Sequence, residues 1–152
     1  MHVVLVEPEI PANTGNIART CAVTGSSLHL VRPLGFCVDD KHLKRAGLDY
    51  WHLLDLYYHD SFDDLAAKYP RARFWLATTK GSVPYHTIVY GSEDFLVFGK
   101  ETAGLSENLR NRYADQCIRI PMGTDIRSLN LANSVAIVLY EALRQQGFAK
   151  LF

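Results

Sequence analysis

Three short clusters hold the residue types that chemistry on loops requires. They are Asn13-Thr14-Gly15-Asn16-Ile17-Ala18-Arg19, Gly99-Lys100-Glu101-Thr102-Ala103-Gly104, and Ile120-Pro121-Met122 running on to Ser128-Leu129-Asn130-Leu131-Ala132-Asn133-Ser134. Glycine lets backbone come close to a ligand, and loops on a rigid scaffold are where binding and catalysis concentrate. Arg19 stands three positions after Asn16, so the two share a helix face beside the apolar or small Ile17, Ala18 and Cys21. A guanidinium in that setting makes a fork for phosphate or carboxylate; it suits equally a surface arginine whose stem lies along apolar surface. Gly99-x-Glu101-x-x-Gly104 permits a tight turn with exposed N–H groups. It lacks the Gly-Lys-Ser/Thr ending of a phosphate loop and the glycine spacing of a dinucleotide fingerprint, and a plain strand-to-helix turn would read the same way. Ile120-Pro121-Met122 ends a strand on a residue with no N–H to donate. Ser128 suits a helix cap. Asn130 and Asn133, three apart, present amides that either pin loop carbonyls or contact a ligand.

The elements around these clusters alternate. His2–Val6 reads as a buried strand stopped by the rigid Glu7-Pro8-Glu9-Ile10-Pro11. Asn13 is a candidate N-cap for a helix that Gly25 ends. Further strands are predicted at Leu28–Val31, Phe74–Ala77, Phe95–Phe98 and Gln116–Ile120. Helices are predicted at Asp40–Ala46, from a Ser61 cap through Ala67, at Leu105–Arg112, and from Ser128 or Leu129 to about Gln146. Short all-apolar strands alternating with helices predict an α/β fold, a mostly parallel sheet with helices on both faces. Nothing in the composition marks a boundary, so residues 1–152 are expected to form a single domain. In such sheets ligands sit at the carboxyl ends of strands. All three clusters fall there or lead into the following helix.

Composition narrows the classes. Apolar residues make up 48% and charged residues 21%, which excludes a disordered chain. The 16 basic and 16 acidic side chains cancel, so a nucleic-acid partner would need a local basic patch or two subunits. Lys41, Lys44 and Arg45 form one candidate patch, which Arg32, Lys80 and Arg127 can extend; a solvated helix face explains it as well. Cys21, Cys37 and Cys117 are widely spaced, and no Cys-x-x-Cys or Cys/His ligand spacing occurs, so no metal site is expected. The default is reduced, mostly buried thiols in a cytoplasmic protein. The N-terminus lacks the features of a signal peptide, and Leu129–Leu143 is too short and polar to span a membrane.

Taken together, the clusters resemble, in order, the three motifs of the SPOUT superfamily of S-adenosylmethionine-dependent RNA methyltransferases. The resemblance covers nearly the whole chain. Glu7-Pro8-Glu9-Ile10-Pro11 with Asn13-Thr14-Gly15-Asn16, Arg45-Ala46-Gly47-Leu48-Asp49-Tyr50 and Thr79-Lys80-Gly81 are similar to one subgroup. That subgroup is the minimal tRNA (cytidine/uridine-34)-2′-O-methyltransferases, which act on the wobble nucleotide of leucine tRNAs.

The resemblance implies a deep C-terminal trefoil knot and a homodimer with active sites near the subunit interface. It implies that S-adenosylmethionine contacts Ala77, Gly99, Ile120 and Ser128, with Met122 and Leu129 adjacent, and that Glu101, Gly104 and Asn130 belong to the same cofactor site. Asn13, Asn16, Lys41, Lys44, Arg45 and Arg127 are the expected RNA-binding residues. By the same resemblance Arg19 stands nearest the reacting 2′-hydroxyl, and Tyr140 is the second catalytic candidate. The rivals are 2′-O-methylation of another RNA such as ribosomal RNA, and a knotted RNA-binding protein without catalysis.

Overall fold

A computed structural model describes residues 1–37, 52–149 and 151 of the chain. The strands are β1 (His2–Val6), β2 (Ser27–Val31), β3 (Leu56–His59), β4 (Phe74–Ala77), β5 (Val83–Pro84), β6 (Phe95–Phe98) and β7 (Cys117–Arg119). They form one seven-stranded sheet in the order β3-β2-β1-β6-β4-β7-β5. Every pairing is parallel. The helices are α1 (Pro11–Thr24), α2 (Phe62–Lys68), α3 (Glu107–Arg112) and α4 (Leu131–Gln145).

Strand alternation divides the apolar side chains between two cores. On one face Val3, Leu5, Leu96 and Phe98 meet Ile17 and Cys21 of α1 and Val135 and Leu139 of α4. On the other, Val4, Phe95 and Val97 meet Phe62 and Leu65 of α2 and Leu109 of α3. Burying each such side chain is worth roughly 1.5–3 kcal/mol, so two-sided burial is what makes the central strands apolar throughout. The α/β sheet with helices on both faces is therefore the observed architecture.

Local chemistry sets the helix ends. The Ser61 Oγ accepts from the Asp64 N–H, and Asp63 and Asp64 sit in the first turn of α2 with Lys68 in the last, matching the helix dipole. Gly25, left-handed at φ 61°, closes α1. Several expected boundaries move. α1 begins at Pro11, with Ile10 as its N-cap, so Asn13 lies inside the helix and does not cap it. Proline is pre-set for that first position. α3 begins at Glu107 because the Ser106 side chain caps it. α4 begins at Leu131, not Ser128 or Leu129, because the Asn130 side chain accepts from the Ala132 and Asn133 N–H groups. β7 ends at Arg119. The edge strands β3 and β5 were not expected. The predicted helix Asp40–Ala46 lies outside the described residues.

Cys21 and Cys117 are buried and Cys37 is exposed. Burial pushes the Cys21 thiol up to about 12, which leaves it an inert core residue. Among the described residues no helix is long and apolar enough to cross a membrane.

Candidate active site

The adjacent strands β6, β4 and β7 end on the same edge of the sheet, and a cavity of about 510 Å³ opens over their carboxyl ends. Ala77 is the last residue of β4, Gly99 follows β6, and Ile120 and Met122 follow β7. Ser128, Leu129 and Asn130 lead into α4. All of them line this cavity together with Glu101 and Gly104. The nine residues expected around a cofactor thus share one void, though they come from separate segments between Ala77 and Asn130. Asn13 and Arg127 line it too. Thr78, Phe98, Lys100 and Arg110 are lining residues that sequence reasoning did not assign. Thr78 and Phe98 directly adjoin expected residues, so extending each cluster by one position would have found them.

Two glycines shape the loop after β6. Gly104 is left-handed at φ 67°, and its N–H donates to the Lys100 carbonyl at 2.8 Å. This closes the turn from Lys100 to Gly104. A Cβ on Gly99 would lie 2.1 Å from the Gly104 carbonyl carbon and 2.3 Å from the Leu105 nitrogen. The loop folds back against the strand end so tightly that only glycine fits.

Polar side chains brace the surrounding loops. The Glu101 carboxylate accepts from the backbone N–H of Glu9 at 2.8 Å and of Ile10 at 3.2 Å, and from the Asn13 amide at 3.0 Å. The Asn13 Oδ1 accepts in turn from the Asn130 amide at 3.0 Å. Asn130 spends its own Oδ1 capping α4. One hydrogen-bonded line therefore joins the start of α1, the loop after β6 and the start of α4. Glu101 also supplies what α1 lacks. That helix has no side-chain N-cap and no acid in its first turn, and a carboxylate from a distant loop sits at its positive end. Glu101 lines the cavity, but its acceptors are already committed to these donors.

Two further contacts reinforce the same seam. The Thr102 N–H and hydroxyl donate to the Glu9 carboxylate, and these bonds hold its pKa below the ordinary value. The Lys100 Nζ sits 2.9 Å from the Glu7 carboxylate, which raises the lysine. Glu7 itself is left-handed at φ 53°. Strain at such a non-glycine position persists where surrounding contacts enforce it.

Arg19 and Asn16 lie on the exposed side of α1 and do not line the cavity. Tyr140 is on the outer side of α4, 43% exposed, with its ring 6.4 Å from that of Phe148. The structure does not bring these three to the cavity of their own chain. Lys41, Lys44 and Arg45, with the Arg45–Tyr50 segment, lie outside the described residues.

The lining suits a nucleoside bearing a charged tail. Phe98, Ile120, Met122 and Leu129 give apolar walls, Thr78, Thr102 and Ser128 give hydroxyls, and Lys80, Arg110 and Arg127 give positive charge. The volume falls within the roughly 300–1,000 Å³ common for small-molecule sites.

Comparison with known proteins gives a consistent result. Residues 1–140 match the SpoU rRNA Methylase family. The chain is 53% identical, over 99% of its length and 96% of the relative's, to a Bacillus subtilis (strain 168) protein provisionally named tRNA (cytidine(34)-2′-O)-methyltransferase. A solved structure described as giving insight into the 2-OH methylation of C/U34 on tRNA superposes with a TM-score of 0.92 at 44% identity, covering 96% of this chain and 95% of that one. An AdoMet-bound rRNA methyltransferase from Sinorhizobium meliloti superposes at 0.82 with 30% identity, covering 94% of this chain and 55% of the other.

Proposed function

The chain belongs to the SpoU rRNA Methylase family, and from that premise we propose that it transfers a methyl group from S-adenosylmethionine to the ribose 2′-hydroxyl of nucleotide 34 in leucine tRNAs. The observation that carries the reading is the single cavity lined by all nine residues expected to hold the cofactor. Relatives of about half-identical sequence that bear the tRNA position-34 activity in their names support the substrate.

S-adenosylmethionine, when bound, supplies an electrophilic methyl on a positively charged sulfur. The chain's part is to bind and orient. The backbone of Gly99, Ile120, Met122 and Leu129 offers N–H and C=O groups for an adenine edge, and Ala77 and Ile120 give it apolar walls. Holding donor and acceptor in line supplies much of the rate in such a transfer. Within the proposal Arg19 grips the phosphate beside the reacting ribose and stabilises the developing alkoxide. An arginine side chain keeps its proton in proteins, so within the proposal the hydroxyl proton passes to the phosphate that Arg19 grips. Tyr140 is the second candidate, its phenol either hydrogen-bonding the hydroxyl or packing at the dimer interface.

The proposal includes a homodimer. Arg19 and Tyr140 face away from their own cavity, on helices α1 and α4, which pack side by side. Val23 on α1 is 55% exposed and Tyr140 on α4 is 43% exposed, so both helices present large hydrophobic side chains to solvent. A second copy docked on these helices brings the partner subunit's Arg19 toward this chain's cavity. The proposal also includes a trefoil knot formed by the segments around Gly99–Gly104, Ile120–Met122 and Ser128–Asn133, which come together around the one cavity. Residues 1–152 act as one domain, in the cytoplasm where tRNA is modified.

The test supplies tritiated S-adenosylmethionine and total tRNA from a strain lacking the modification, then maps the label. The expected result is a labelled 2′-O-methyl nucleotide at position 34 of leucine tRNAs, and near-complete loss with Arg19→Ala. Label in ribosomal RNA only, or in no RNA, overturns the reading.

A further inference from the structure

A chain with no net charge must concentrate its positive charge to hold RNA. Among the described residues, one such concentration surrounds the cavity. Away from the cavity, most described lysines and arginines are neutralised: Arg32 by Asp60, Lys68 by Asp64, Arg73 by Asp94, Arg112 by Asp63 and Arg144 by Glu141. Of the described cations for which no acidic partner is found, Arg71 precedes β4 away from the cavities, whereas Lys80, Arg110, Arg119 and Arg127 stand around them, Arg110 also donating to the Leu105 carbonyl. Lys80, Arg110 and Arg127 line the large cavity. Arg119 lines a second one of about 270 Å³, whose other walls are Ser82, Pro84, Pro121 and Met122. Met122 lines both cavities, so they adjoin at that residue.

The second cavity has a distinct chemistry. Pro84 and Arg119 are register partners on β5 and β7, at the open edge of the sheet. Two proline rings give rigid apolar faces, and Met122 is a polarizable, adaptable wall. The guanidinium of an arginine stacks on flat π-systems and forks onto phosphate. Proline faces, a thioether and a guanidinium around a space smaller than the main cavity suit one unpaired nucleobase with its phosphate. Asp125, on the loop beside Arg127, is the acidic side chain nearest in sequence to this group of cations.

We propose that this second cavity is a base-binding subsite for a nucleotide flanking the methylated one. Its base packs between Pro84, Pro121 and Met122, and Arg119 stacks on it and contacts its phosphate. Lys80 and Arg127 carry the RNA backbone from there to the reaction cavity. The proposal rests on the RNA-methyltransferase reading and adds to it a specificity-determining residue, Arg119, outside the catalytic machinery.

The test measures binding of an anticodon stem-loop and of S-adenosylmethionine to the full chain. Arg119→Ala is expected to raise the stem-loop Kd about tenfold while leaving the cofactor Kd and melting temperature unchanged. Ser82→Phe, which fills the cavity from an exposed position, is expected to do the same. Stem-loops with a single abasic nucleotide beside position 34 then complete a double-mutant cycle. One abasic position is expected to weaken wild-type binding by the same factor and to show no further loss with Arg119→Ala. An unchanged stem-loop Kd for Arg119→Ala overturns the proposal. So does additive loss at every abasic position, since Arg119 would then touch phosphate alone. A wild-type protein that methylates no RNA refutes the underlying function instead, so the two failures are distinguishable.

Discussion

The Glu101–Asn13–Asn130 line and a second polar chain, His2–His29–His59, both tie together residues far apart in sequence, but they face different surroundings. The first surrounds a cavity and contributes to its lining. The second crosses β1, β2 and β3 beneath aromatic rings. His2 Nδ1 lies 3.0 Å from His29 Nε2, and His29 Nδ1 lies 3.0 Å from His59 Nε2. His2 stacks on Phe95 at 4.2 Å and His29 on Tyr57 at 4.8 Å, with Tyr69 edge-on to His29. Carboxylates end the chain, Glu93 at 3.4 Å from His2 and Asp64 at 3.5 Å from His59. None of the three histidines lines either cavity described above. A hydrogen-bonded polar chain alone therefore does not mark a functional site. What distinguishes the cavity network is the open volume beside it and the cations around that volume that form no ion pair.

The comparison breaks hardest at Gly99. An added Cβ there meets backbone, which cannot swing aside as a side chain can. Gly99→Ala is expected to cost more than about 4 kcal/mol, in the range reserved for severe core disruption. Gly104→Ala supplies the contrast, because nothing lies within 4 Å of its Cβ position. It carries only the left-handed strain of about 1–2 kcal/mol. Urea unfolding of the two variants checks this; equal midpoints would show that the crossing at Gly99 is looser than described.

A smaller effect is expected at Glu101. Glu101→Gln keeps the shape but gives up charge and one acceptor among the three donors. Hydrogen bonds to a charged group are worth about 1.5–3 kcal/mol each, though part of this is recovered by the amide oxygen. The expected outcome is roughly a tenfold weaker affinity for S-adenosylmethionine, read by calorimetry, with a melting temperature lowered by a few degrees. A histidine-chain variant such as His2→Gln should leave that affinity untouched. If Glu101→Gln lowers stability but not affinity, the network is a brace for the fold and the two polar chains are alike.

These two networks also show what a linear sequence conveys. The glycines and asparagines of the cavity were legible because their residue types are costly to explain otherwise at strand ends, and the apolar runs Val3–Leu5 and Phe95–Phe98 announced central strands. The capping of α1 was not legible. Its carboxylate comes from Glu101, about ninety positions beyond Ile10, so local rules assigned the cap to Asn13. β3 was missed because Leu56–His59 is half exposed at the sheet edge, and β5 because it has two residues. The histidine chain could not be read at all. Its members are separated by 27 and 30 positions and meet only through the register of β1, β2 and β3.

The effect that is smallest at neutral pH belongs to that histidine chain, which shows itself only as the pH falls. Three neutral rings carry one N–H each, yet four contacts join Glu93, His2, His29, His59 and Asp64. One contact must go without a proton, and His59 Nδ1 is the atom that has no hydrogen-bond partner. A fourth proton would satisfy every contact, but burial opposes it. Desolvation, followed by the repulsion of His2 and His59, lowers the His29 pKa to about 3. Desolvation also lowers His2 and His59, with the chain's amino terminus and Lys68 adding to it and Glu93, Asp55, Asp60 and Asp64 opposing it. The unfolded chain thus binds more protons than the folded one once pH drops below the ordinary histidine value near 6.5. Stability is full above that pH and falls as pH is lowered toward about 3, by up to about 1.4 kcal/mol per pH unit for His29. His29→Gln is expected to flatten this acid limb in urea unfolding measured between pH 7.5 and 4.5, while shifting the neutral-pH midpoint by a constant amount. Ring ¹⁵N shifts should show His29 still neutral at pH 5. A His29 that titrates near 6.5 would mean that the chain is open to solvent, and that its separation from the cavity network is not one of burial.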